Sequence, residues 1–125
     1  MARTQCKLMF IWLVLFTIAA ERMSAQSVLT IGDDFFEKKI RPVLATNCYG
    51  CHASKMKSPM GGLVLDTKAG LLAGGVSGRV IVPGKPGESL LLRAMRYNDP
   101  QLKMPPTSKL PDAVIADFEQ WIAAG

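Results

Sequence analysis

The chain has 125 residues, 49% of them hydrophobic, and 15 Lys and Arg stand against 10 Asp and Glu for a net charge of +5. That length suits one small domain and not two. The basic excess is mild and comes with no Lys/Arg-rich run and no aromatic platform, which argues against a nucleic-acid partner.

The first predicted element is an export signal. Met1 to Lys7 carries Arg3 and Lys7, and Leu8 to Ala20 then reads LMFIWLVLFTIAA without a charge. A basic start, a short apolar stretch and small residues after it describe a secretory signal peptide over residues 1–25. Ala25-Gln26-Ser27 allows cleavage after either Ala25 or Ser27. The stretch is shorter than the roughly 20 apolar residues of a membrane span, so no stable span is expected after cleavage. The expected location is the periplasm or cell envelope. Cleavage removes Arg3, Lys7 and Arg22 with Glu21, which takes the charge from +5 to near +3. The mature core is then marginal in size, and a large bound group would help to fill it.

After a lead-in over 26–33, Asp34 and Glu37 resemble a capping box, and Phe36, Ile40, Val43 and Leu44 follow at helical spacing. The first helix is predicted from Asp34 to about Thr46, kinked or weakened at Pro42. Residues 53–62 are loop material. Asp66 is predicted to cap a short helix, Thr67 to Ala73, ended by Gly74-Gly75. Residues 76–87 hold several Gly and Pro around Val80-Ile81-Val82 and read as an irregular, extended crossing. Glu88 to Tyr97 is predicted as a third helix and 98–110 as a Pro-rich loop. Pro111 opens a last helix that reaches Ala124, with Val114, Ile115, Phe118, Trp121 and Ile122 on one stripe. The fold class is therefore all-α: a small fold of three to five helices in one domain over 34–125. The first and last helices carry matching apolar faces and are expected to cross.

Cysteine usage narrows the chemistry. Cys6 falls in the signal peptide, so the mature chain keeps Cys48, Cys51 and a single histidine, His52, directly after the second cysteine. Cys48-Tyr49-Gly50-Cys51-His52 has the spacing of c-type haem attachment. Two thiols so placed reach the two vinyl groups of one porphyrin, and the neighbouring imidazole emerges under the iron. Competing readings are weaker. Zinc wants four ligands, or three plus water, and no second ligand pair exists. A thioredoxin-like CxxC belongs near a βαβ pattern, which is not visible here. A disulfide across so short a loop leaves His52 unexplained.

With no second histidine, the other axial ligand is expected to be a methionine. Met56 and Met60 follow His52 too closely to pass easily around a porphyrin, and Met95 falls on the apolar side of a helix. Met104 precedes Pro105-Pro106, which bias it toward extended backbone and stiffen its loop. Met104 is therefore the expected distal ligand, with His52 proximal. Further contacts are weaker candidates: the Pro59 carbonyl for the other His52 nitrogen, and Arg79, Tyr97 and Trp121 for haem propionates. Lys57, Lys68, Lys85, Lys103 and Lys109 read as a solvated scatter rather than a docking patch.

FFEKKIRPVLATNCYGCH, GGLVLDTKAGLLAGG, IVPGKPGESLLLRAM, KMPP and a terminal FEQWIAAG together resemble the planctomycete-type cytochrome c domain over residues 33–125. The resemblance implies the small helical cytochrome c fold, one covalent haem c on Cys48, Cys51 and His52, and the Met of KMPP, Met104, as distal ligand. It also implies that such a domain stands at the N-terminus of a longer exported protein. The expected function is electron transfer, as a carrier or as the redox module of a larger protein, with redox proteins or further domains as partners and no catalytic residue of its own. Two alternatives stay open from sequence: a haem enzyme or sensor with an open distal site, and a haem-free CxxC thiol or metal module.

Overall fold

Pro42 lacks an N–H, and in a regular helix its ring presses on the carbonyl of the preceding turn. The computed structural model, which describes residues 32–125, shows how the chain accommodates it. The backbone is helical at 32–35 and widens into a π-helical turn, Phe36–Ile40, before continuing as α1, Arg41–Asn47. The Arg41 N–H reaches back to the Phe36 carbonyl, and Pro42 falls in the first turn of α1, where a missing donor costs little. The expected weak point at Pro42 is thus a register change just before it. Glu37 does not form a capping box with Asp34, because the helix is already under way at residue 32. Its carboxylate instead takes a two-pronged pair from Arg41, at 2.6 and 2.7 Å. The expected signal peptide and Cys6 lie outside the described residues, as does the lead-in as far as residue 31.

The next helix, α2 (Lys68–Ala73), is capped by Thr67, whose side chain accepts the Gly70 N–H at 3.0 Å. Asp66 was the expected cap, but its carboxylate is engaged elsewhere: it accepts the Ser54 N–H and hydroxyl, both at 2.8 Å. Those two bonds hold its pKa below the ordinary 3.8. Gly74 ends the helix at φ 78, and a Cβ there would lie 2.3 Å from the Gly78 carbonyl oxygen, so only glycine fits.

Val80 and Ile81 lie in irregular chain, as expected, and both are buried. The only β pairing among the described residues is two isolated bridges, Gly75 with Gly78 and Asp99 with Leu102. A 3-10 turn, Pro86–Glu88, leads to Ser89, the one buried polar residue among those described. Its hydroxyl accepts the Val82 N–H and donates to the Lys85 carbonyl, both at 3.0 Å, tying the crossing to the start of α3. That helix, Leu90–Met95, is shorter than the predicted 88–97. The 3-10 turn takes its first residues, and Tyr97, at φ 61, stops it.

The last helix, α4 (Asp112–Ala124), buries Ile115, Phe118 and Ile122. It meets the first helical segment through Phe36 and Trp121, with ring centroids 5.2 Å apart, and through Lys39 and Asp117 at 3.5 Å. Arg96 and Glu119 pair at 2.8 Å to link α3 with α4. Residues 35–125 form one compact unit around Ile40, Leu44, Leu65, Leu71, Val80, Leu92, Phe118 and their neighbours. The fold is all-α. Among the described residues no helix is long and apolar enough to cross a membrane.

Two outcomes follow from this packing. Leu92 is fully buried in the core, so Leu92→Ala is expected to lower unfolding free energy by about 2–5 kcal/mol, measured by chemical denaturation. Asp66 is stabilised in its charged form, so its contribution is complete above the ordinary carboxylate range and disappears as pH falls through its lowered pKa. Asp66→Asn is expected to reduce the melting temperature at neutral pH. The gap should close on acidification below about pH 4 and not on raising the pH.

Candidate cofactor site

At the end of α1 the Cys48 and Tyr49 N–H groups both donate to the Leu44 carbonyl, at 2.9 and 3.0 Å. The chain then turns tightly, with the Cys51 and His52 N–H groups both on the Cys48 carbonyl at 3.1 and 3.0 Å. The following loop folds back over this turn. Met60 N–H donates to the Cys51 carbonyl at 3.0 Å and Leu65 N–H to the His52 carbonyl at 2.9 Å. The backbone that carries the motif is therefore held from both sides, and the Ser54–Asp66 pair closes the loop between.

Cys48, Cys51 and His52 line a cavity of about 420 Å³. That size lies within the usual span of cofactor pockets, roughly 300–1,000 Å³. Val43 and Leu44 of α1, Leu63 and Leu65 of the loop, Val80 of the crossing, Leu91 and Met95 of α3 and Phe118 of α4 make its walls. Met104, Pro105 and Pro106 reach the same cavity from the loop ahead of α4. Sequence-distant residues named for one chemistry thus converge: the two thiols, the imidazole and the Met104 thioether border one largely apolar space. Met60 and Met95 border it too, whereas Met56 does not. Met95 belongs to the buried core, and Met60 is tied by its backbone to Cys51. Met104 is 40% exposed, and its backbone N–H is bound to the Ala94 carbonyl of α3 at 3.2 Å.

The fit to a haem can be tested on the donors themselves. His52 Nδ1 is buried and has no hydrogen-bond partner, a state rare enough in folded proteins to require an explanation. An imidazole facing an apolar cavity, flanked by two unpaired thiols, suits a ring that is fixed by binding metal within a porphyrin. A reactive thiol pair fits less well. Burial pushes the Cys48 thiol up to about 11, which disfavours a thiolate nucleophile at neutral pH. Among the described residues, no three His, Cys, Asp or Glu side chains gather as a metal-binding set.

One outer contact differs from expectation. The Pro59 carbonyl does not receive the His52 N–H; it accepts the Gly62 N–H at 3.0 Å in the 3-10 turn Met60–Gly62. Trp121 packs on Phe36 and Phe118 between helices, and Arg79 is exposed; neither borders the cavity. Tyr97 also stays out of the wall, and its hydroxyl donates to the Pro105 carbonyl. The contacts that hold the Met104 loop, Tyr97 to Pro105 and Met104 N–H to the Ala94 carbonyl at 3.2 Å, were not foreseen. Only the closeness of Tyr97 to the proline pair hinted at them.

Residues 48–108 match the family model for planctomycete cytochrome C. Comparisons with curated proteins and with solved structures gave no match. The matched stretch runs from Cys48 past the Met104 loop and so contains Cys48, Cys51, His52 and Met104; over it, the chain matches the planctomycete cytochrome C family.

Proposed function

We propose that this domain transfers single electrons through one covalently attached haem c, either as a carrier or as the redox module of a larger exported protein. The observation that carries the reading is the convergence of Cys48, Cys51, His52 and Met104 on one apolar cavity. In this reading Cys48 and Cys51 would hold the porphyrin by thioether bonds, and His52 and Met104 would ligate its iron. When bound, the haem supplies an Fe(III)/Fe(II) couple, whose potential a Met ligand raises.

The chain's own residues do the rest. The folded-back loop fixes the His52 backbone through Leu65 and so limits the positions of the imidazole. Apolar walls from Leu44, Leu65, Leu91 and Phe118 keep water from the cavity and favour the less charged, reduced state of a bound iron centre. With His52 and Met104 both ligating the iron, no site would be left for substrate, which favours a carrier over a haem enzyme or sensor. Export by the N-terminal signal and redox proteins or further domains as partners complete the proposal.

The test is the full chain made in a host with cytochrome maturation machinery. Its mature mass is expected to exceed that of the polypeptide by one haem, and its reduced spectrum to be that of low-spin haem c. A colourless product with the bare polypeptide mass would sink the proposal. Met104→Ala is expected to keep the haem but lose the Met–iron charge-transfer band, lower the potential and open the reduced iron to rapid carbon monoxide binding. An unchanged band and potential would show that Met104 is not the ligand.

A further inference from the structure

Tyr97 stands just past the end of α3 at φ 61, where a side chain is disfavoured and glycine is the default. It is the only non-glycine residue with positive φ among those described. An outlier of this kind persists only where the surroundings over-determine it, and it points toward a function rather than away from one. The side chain identifies that function. The Tyr97 hydroxyl donates to the carbonyl of Pro105, the residue that follows Met104. On the other side of Met104, Lys103 places its ammonium 5.8 Å from the Tyr97 ring centroid. The Met104 N–H itself is bound to the Ala94 carbonyl of α3 at 3.2 Å. Residues 103, 104 and 105 are therefore tied one after another to the end of α3, two of the three through Tyr97.

We infer that Tyr97 is a positioning residue for Met104: it fastens the Pro105 carbonyl so that the thioether stays at the cavity instead of swinging out with its loop. This rests on the reading of Met104 as an axial ligand. A thioether binds iron weakly, so its occupancy depends on how few other positions its loop can take. The left-handed turn at Tyr97 brings the phenol back over the loop that follows, which a residue continuing α3 does not do. Loss of the hydroxyl frees the Pro105 side of the loop while leaving the ring, the backbone turn and the Ala94 tie in place. The iron then gives up Met104 to an external ligand more readily.

The experiment uses the oxidised, haem-loaded full chain titrated with imidazole, followed by loss of the Met–iron band or, where that band is absent, by the Soret shift. Tyr97→Phe is expected to bind imidazole about twofold to tenfold more tightly than wild type, the scale of one net hydrogen bond. Met104→Ala should bind it more tightly still, and adding Tyr97→Phe to Met104→Ala should change nothing further, because the hydroxyl acts only through Met104. The inference is overturned if Met104→Ala raises the affinity and Tyr97→Phe does not. It is equally overturned if Tyr97→Phe has the same effect with and without Met104, which describes a general loosening of the pocket. If Met104→Ala leaves the affinity at the wild-type value, the ligand assignment fails first and takes the inference with it.

Discussion

The structure depends on one economy: the residues that hold the helices together are also the walls of the cofactor cavity. Leu44, Leu65, Val80, Leu91, Met95 and Phe118 belong both to the buried core and to the cavity lining. In a domain of this size there is too little apolar surface to build two separate interiors. Folding and cofactor binding are therefore one packing problem. The polar chemistry is confined to the ends of the chain segments that border the cavity, at the turn after α1 and in the loop before α4.

The irregular segments follow from the same constraint. With four short helices, long stretches of chain have to cross the core without regular pairing, and each buried backbone group needs a partner. The buried Ser89 hydroxyl supplies two such bonds, and the carbonyls of Cys51 and His52 receive two more from the returning loop. These are local substitutes for a sheet. They explain how a chain with little repetitive structure can still present thiols, imidazole and thioether to a common space.

How much of this was legible beforehand varies with the length scale of the cause. The spacing of Cys48, Cys51 and His52 is a local property of the chain, as is the stripe on α4, and both were readable from the residues. The adjacent prolines single out Met104 among the methionines in the sequence, and Met104 borders the cavity together with Met60 and Met95. Helix ends were harder. Asp66 and Thr67 are both good capping residues, and only the arrival of Ser54 from a distant part of the loop decides that Thr67 caps α2. Trp121 shows the same limit: its packing on Phe36 depends on a residue from the other end of the domain, which its sequence neighbours do not announce. Pro59 failed for the converse reason, since proximity in sequence to His52 does not aim a carbonyl at it.

The widened turn at Phe36–Ile40 has an effect beyond tolerating a proline. Each extra residue in a helical turn rotates everything on one side of it relative to the other, so a single apolar stripe is split into two with different phase. Phe36, ahead of the shift, points to Trp121, while Val43 and Leu44, after it, point to the cavity beside the cysteines. One continuous helical rod thereby serves two neighbours that no straight α-helix of the same sequence would face together. Removing a single residue from that turn would bring the two stripes back into line, and the domain would have to give up either its clasp on the last helix or its wall of the cavity.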